Sequence, residues 1–355
     1  MDHTTHETAD EIVERLITVV SGLANRANQP GVEVDALRTL ADEASEALRT
    51  IARPPTDAPL FDQADTFAGE LLTDFDNRQA AAAANGGVVG VRSGINYLDE
   101  TLNGFEPGKL YMLAAVPGAG KTTVALQWAA TVAQAGAPAL YISLENDGLD
   151  LGRKLACRLG EVSYARALKG KLSRQEWATA VGSLSKLGGR LYLSTPRATM
   201  PNLEMLIEGV MMRAGAAPAL IVIDYLQAFT KRMGTGAETA DLRERVDRFT
   251  PRLRALGEKY GSAVLAISSQ NRAGYVAGGM AAMKESGDIE YNADAVLTLS
   301  KLDKEELKTW QSDLTHDPGT TPIKLIVDKN RQGMTGKPIK LLLYGDLCMV
   351  EEEDR

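Results

Sequence analysis

The chain has 355 residues, of which 44% are hydrophobic and 24% charged, with a formal net charge of −8 at pH 7. No apolar run approaches the roughly 20 residues a bilayer-spanning helix needs, and the acidic start lacks the charged-then-apolar order of a signal peptide, so a cytoplasmic protein without a membrane partner is expected. Two cysteines, Cys157 and Cys348, are too few for a disulfide framework, and His3, His6 and His316 supply no ligand set for structural zinc, which leaves buried thiols as the expectation for both cysteines.

Taken in chain order, residues 9–28 and 34–52 each place apolar side chains at helical spacing, the second along Leu37, Leu40, Ala44, Leu48 and Ile51, and "NQPGVE" breaks them into a helical hairpin. "ARPPTDAP" reads as a linker, residues 63–83 as an alanine-rich helix, and "NGGVVGVRSG" as a flexible entry into the main domain. The expected division is a helical hairpin over 1–58, a linker helix over 59–87 and a main domain over 88–355. The acid sits mostly in the first two. Residues 1–87 hold 16 acidic and 6 basic side chains, whereas residues 88–355 hold 31 and 33. A near-neutral body can still bind a polyanion if its cations line one surface, so whole-chain charge does not exclude nucleic acid.

From residue 109 the pattern alternates apolar strands with helical stretches: "KLYMLAA", "PALYISL", "RLYLST", "PALIVID" and "SAVLAIS". Strands this continuously apolar are usually covered on both faces, which predicts an α/β fold with a mostly parallel central sheet. "AVLTLS", "TPIKLIVDK" and "KPIKLLLY" then lie close together, and "NRQGMTG" between the last two is predicted to close a C-terminal β-hairpin.

Between the first strand and its helix stands "AAVPGAGKTT". It fits G-x-x-x-x-G-K-[ST] except at the first glycine, which is Ala115. Such a loop, here Ala115, Val116, Pro117, Gly118, Ala119, Gly120, Lys121, Thr122 and Thr123, wraps around phosphates, with Gly118 and Gly120 leaving room for backbone N–H groups to point into a shared concavity. Lys121 brings a point charge to the β/γ-phosphates and Thr122 offers a hydroxyl to Mg²⁺. Strand, loop and helix stand in the required order, so a nucleoside triphosphate such as ATP, with Mg²⁺, is the expected ligand. The strand in "LIVIDYLQ" delivers Asp224 toward the same cation. "YISLEN" brings Glu145 to the carboxyl edge of the sheet, where it is either the base that polarises a water or a solvated acid beside a helix N-cap.

Together "GINYLDETLNGFEPGKLYMLAAVPGAGKTT", "SLEN", "LIVIDYLQ", "AISSQNRAGY", "KESGDIEYNADAVLTL" and "DKNRQGMTG" resemble, in order and approximate spacing over about residues 88–350, the replicative DNA helicases of DnaB type. The resemblance implies a RecA-like P-loop NTPase that hydrolyses ATP as a homohexameric ring and moves 5′ to 3′ on single-stranded DNA at a replication fork. It implies that Arg331 is an arginine finger reaching a neighbour's γ-phosphate, with Lys329 beside it. Taken from the residues alone, Arg331 reads better as an exposed hairpin-tip arginine. "MKESGDIEYNAD" is similar to a DNA-facing channel loop in which Lys284, Ser286 and Gly287 touch phosphates, and Lys231 and Arg232 stand where a second such loop, or a solvated surface, falls. A primase or helicase loader is an implied partner, and the shortened N-terminal region fits a phage or mobile-element origin.

Besides the shortened N-terminal region, which is the largest departure, three features depart from the family pattern. "SSQNR" puts Ser269 where the γ-phosphate-sensing glutamine is expected, with Gln270 one place later. Lys154 stands where an arginine follows the catalytic glutamate, next to Arg153. Pro251 interrupts "RERVDRFTPRLRALGEKYG" and is expected to kink or restart that helix. The competing expectation keeps the ATPase but makes it an ATP-gated single-stranded-DNA-binding module, as in recombination mediators, with no unwinding.

Overall fold

The structure is a computed structural model that describes residues 9–27, 36, 39–45, 64–116, 118–195, 200–224, 242–269, 292–309 and 319–353. It divides into two compact units, Met1–Thr73 and Asp74–Arg355.

In the first unit α1 runs Ala9–Ala27 and residues 39–45 are helical. Leu40 and Ala44 are half-buried while their neighbours are exposed, as an apolar stripe at i, i+4 requires. The remainder of the helix expected over 34–52 lies outside the described residues apart from residue 36. Arg26 and Glu43 form an ion pair at 2.7 Å with side chains 57% and 44% exposed. A pair so well solvated contributes at most about 1 kcal/mol.

A short 3₁₀ turn, Ala64–Phe67, leads into α2, Ala68–Ala84, over the alanine-rich stretch. This helix buries none of its residues and leaves Leu71, Leu72 and Phe75 exposed. Within the second unit Arg78 grips Glu106 with both guanidinium nitrogens, at 3.0 and 3.3 Å. Glu106 is buried, and its backbone N–H donates to the Tyr111 hydroxyl at 2.8 Å, so the "GFEPG" turn is held from both sides.

The rest of the second unit runs α3 (Asn96–Leu102), β1 (Leu110–Ala115), α4 (Lys121–Gln134), β2 (Ala139–Ser143), α5 (Gly148–Gly160), α6 (Tyr164–Leu168), α7 (Arg174–Gly182), β3 (Leu191–Ser194), α8 (Met200–Ala214), β4 (Leu220–Asp224), α9 (Leu242–Tyr260) and β5 (Ala263–Ser269). It ends with β6 (Ala295–Lys301), α10 (Lys304–Thr309), β7 (Thr320–Asn330), β8 (Ile339–Tyr344) and β9 (Met349–Glu352). One sheet contains all nine strands, in the order β3-β2-β4-β5-β1-β6-β7-β8-β9. The pairings from β3 through β6 are parallel and those from β6 to β9 antiparallel.

The continuous apolar runs result from this layering. Tyr111, Leu113 and Ala115 of β1 face one core with Val124 and Trp128 of α4 and Leu155 of α5. Leu110, Met112 and Ala114 face the other, with Leu203 and Ile207 of α8 and Phe249 and Leu253 of α9. Every residue of β1 is buried, so the strand shows no period-2 alternation. The predicted hairpin forms as β7 and β8, paired from Thr320↔Tyr344 to Leu325↔Ile339.

Of the two outcomes expected at Pro251, a kink or a restart, the restart does not occur, because α9 is one helix with the proline inside it. Phe249, Thr250, Leu253 and Leu256 are buried on either side of it. Burial of Phe249, Leu253 and Leu256, at about 1.5–3 kcal/mol for each large apolar side chain, together outweighs the ~3 kcal/mol that an interior proline costs.

Candidate nucleotide site

The phosphate loop begins where β1 ends. Ala115, Val116 and Ala119 are buried, so the side chains of the loop turn into the core while Gly118 is exposed. The Ala119 N–H donates to the Val116 carbonyl at 3.2 Å, closing the turn, and the helix starts with Val124 N–H to Gly120 O at 2.9 Å. Gly120 is the N-cap of α4 at φ 91°. A Cβ there would sit 3.1 Å from a Leu343 methyl, so backbone conformation and space both demand glycine. Lys121, Thr122 and Thr123 open α4, half-buried, and the N–H groups of that first turn have no partner within the helix, the arrangement that suits an anion. Pro117 lies outside the described residues.

β4 is separated from β1 by β5, and Asp224 stands at its carboxyl end, fully buried. Its Oδ2 accepts hydrogen bonds from Thr122 Oγ1 at 2.9 Å and from the Tyr141 hydroxyl at 2.7 Å. Oδ1 is buried with no hydrogen-bond partner. Leaving a carboxylate oxygen buried and unbonded is costly, and a bound cation removes that cost. One carboxylate oxygen and one hydroxyl make the sparse, hard-oxygen donor set that Mg²⁺ takes when phosphates and waters complete its octahedron. The residues present therefore fit that ion.

Tyr141 was not singled out by the sequence. It is fully buried on β2, and burial, followed by the Asp224 charge and hydrogen bond, holds its phenol well above the usual tyrosine range, so it is a permanent donor. A tyrosine inside "ALYIS" looks like one more core residue. Only the pairing of β2 with β4, Ser143 opposite Asp224, reveals the contact.

Glu145 lies two residues past β2 and is exposed, beside the Leu144 N–H that donates to the Asp224 carbonyl at 2.9 Å. The N-cap of α5 is Asp147, whose side chain accepts from the Asp150 N–H at 2.7 Å. Lys154 is on α5, with its ammonium 2.6 Å from Asp150, which also accepts from Tyr164 at 2.7 Å. Burial pushes the Asp150 carboxyl up, but those hydrogen bonds outweigh it and hold it below the ordinary range.

Lys329 and Arg331 are elsewhere. Because β7 is antiparallel to β6, Asn330 pairs with Ala295, which itself pairs with Tyr111 near the amino end of β1. Lys329 and Arg331 thus lie at the amino edge of the sheet, opposite the edge from which the phosphate loop opens. The Lys329 ammonium donates to the Ala293 carbonyl at 2.9 Å and the Arg331 N–H to the Asp294 carbonyl at 2.8 Å. Asp294 is a buried anchor that the sequence did not single out either. It accepts from the Leu110 N–H at 2.9 Å and pairs with Arg254 of α9 at 3.4 Å. Its position in "SGDIEYNAD" carries no signal of this role.

Ser269 ends β5 opposite Ala115, at the same edge as the loop. Gln270, Lys231, Arg232, Lys284, Ser286 and Gly287 lie outside the described residues. Both cysteines are buried, and burial first of all pushes the Cys157 thiol up to about 11 and Cys348 to about 12. No described helix is long and apolar enough to cross a membrane.

Residues 90–348 match the DnaB-like helicase C-terminal domain family. A replicative DNA helicase DnaB of Leifsonia xyli is 28% identical over 280 residues, which are 76% of this chain and 57% of that protein. The DnaB of Geobacillus stearothermophilus is 26% identical over 334 residues, 92% of this chain and 69% of its own length. A solved DnaB-like replicative helicase, described with its interactions with primase, superposes with a TM-score of 0.71 at 17% identity, covering 96% of this chain and 76% of its own. That likeness gives the fold, which is RecA-like.

Proposed function

Since this chain belongs to the family of DnaB-like helicase C-terminal domains, we propose that it is an ATP-driven helicase translocating 5′ to 3′ on single-stranded DNA as a homohexamer. The observation that carries the ATPase part is Asp224. A carboxylate fixed 2.9 Å from the Thr122 hydroxyl, with its other oxygen unbonded, stands beside a loop built to hold phosphates. Fold alone would not separate this chemistry from others.

In this reading Lys121 and the amides of Gly118 and of Gly120 to Thr123 orient the β- and γ-phosphates, and Ala115, Val116, Pro117 and Ala119 complete the loop. Thr122 and Asp224 would hold Mg²⁺, which would supply charge neutralisation for phosphoryl transfer. Glu145, exposed at the carboxyl edge next to β4, accepts the proton of the attacking water. Arg331 and Lys329 serve the neighbour's nucleotide. Their place across the sheet from the loop of the same chain supports action between subunits. Lys154, Ser269 and Gln270 border the γ-phosphate. Lys284, Ser286 and Gly287, with Lys231 and Arg232, line the channel and hold DNA by phosphate contacts that read no sequence.

The domain scheme is a helical hairpin over 1–58, a linker helix over 59–87 and the motor over 88–355. The exposed Leu71, Leu72 and Phe75 of α2 support its packing on an adjacent subunit. A primase or helicase loader is the partner we assign to the acidic hairpin, and the cytoplasm the compartment.

The test is the ATPase rate with and without single-stranded DNA. A motor is expected to turn over several-fold faster with DNA. An ATP-gated clamp is expected to bind DNA equally well with a non-hydrolysable analogue and to show no stimulation, and that result would reject the motor.

A further inference from the structure

We propose that Tyr141 is a positioning residue that fixes the Asp224 carboxylate so that Oδ1 is presented to the divalent cation. This rests on the nucleotide-site reading above and adds a residue to it.

β2 and β4 are neighbours in parallel register, with Tyr141 opposite Val222 and Ser143 opposite Asp224. Tyr141 therefore starts two residues short of the carboxylate, and its ring spans that gap. A carboxylate oxygen accepts only, so the phenol must donate, and it does so at 2.7 Å. Both bonded donors reach the same oxygen, Thr122 from α4 and Tyr141 from β2, while the other oxygen has none.

An aspartate carboxylate turns about one broad terminal torsion. A donor from one element leaves that torsion free to follow the donor, whereas donors from two elements fix it. Thr122 is also the hydroxyl expected to meet the cation, so its bond to Asp224 shifts as ligands arrive. Tyr141 is held inside the sheet and does not. It makes the kind of outer contact that orients a metal-binding group from behind. Phenylalanine would fill the same space, and the buried hydroxyl has Asp224 to satisfy it.

The test is Tyr141→Phe in the full chain. Mn²⁺ is titrated into protein saturated with ADP, with free Mn²⁺ followed by electron paramagnetic resonance. ADP affinity in EDTA and urea unfolding of the metal-free protein are measured beside it. We expect Mn²⁺ to bind about tenfold or more weakly, the size seen when outer partners of metal ligands are lost, with ADP affinity in EDTA unchanged. Mn²⁺ affinity within twofold of the unaltered chain, or a variant that does not fold, would overturn the proposal and leave the hydroxyl a structural role. If the unaltered chain itself holds no Mn²⁺ with ADP, the nucleotide-site reading has failed, and Tyr141 with it.

Discussion

Arg331→Ala is expected to lower ATP turnover by about 10³-fold or more, the scale on which an arginine finger acts, while nucleotide affinity and fold stay intact. Arg331 comes just after β7 at the amino edge of the sheet, one place beyond Asn330, which is level with Tyr111, and Lys121 comes after β1 at the carboxyl edge. The six residues of β1 alone separate the two edges by about 20 Å at ~3.3 Å per residue. No side chain crosses that distance within one subunit. Mixing Arg331→Ala with Lys121→Ala protein is therefore expected to recover activity, since some interfaces of a head-to-tail ring combine an intact loop with an intact finger. Steady-state ATPase assays on the two variants and their mixture read this directly. A mixture as inactive as its parts would place the arginine's action within its own chain.

Lys121→Ala is the second large effect. Lys121 opens α4 behind a glycine N-cap, so its ammonium adds to the positive end of the helix where the proposal puts the phosphates. Removing one such preorganised charge is expected to cost about 10²–10³-fold in turnover, with nucleotide binding weakened as well. The nucleotide-free variant is expected to unfold at nearly the same urea concentration as the parent. Hydrolysis assays and urea titrations check both halves, and a parallel loss of stability would show that the lysine holds the loop together rather than the ligand.

Much of this architecture was legible in the sequence because burial wrote it there. β1, β2 and β4 are buried at every position, so they stand out as unbroken apolar runs, and glycines bound the loop where φ is positive. Asp224 was legible as an acid at the end of such a run. Other parts left no pattern. β9 is four residues, "MVEE", with two acids, and only its pairing with β8 makes it a strand. The helices α5, α6 and α7 between β2 and β3 went unnamed, although Ser173 and Glu176 form a capping box at the start of α7. Pro251 does not divide α9, and the side chains on either side of it are buried.

The site itself was only half legible. Lys121, Thr122 and Asp224 come together through elements that a linear motif anticipates. Tyr141 and Asp294 act through partners on other strands, 83 and 184 residues away in sequence. No spacing rule reaches contacts of that kind. The sheet order creates them, and the same order separates Arg331 from the loop of its own chain.

Whether this chain uses ATP to pull DNA is decided by unwinding of a forked duplex with ATP, using substrates whose 5′ or 3′ tail is blocked, with the unaltered chain and with Lys121→Ala. Strand separation is expected when the 5′-tailed strand can be entered, none when that tail is blocked, and none with the variant. ATP hydrolysis with no fork opened in either polarity would refute the motor.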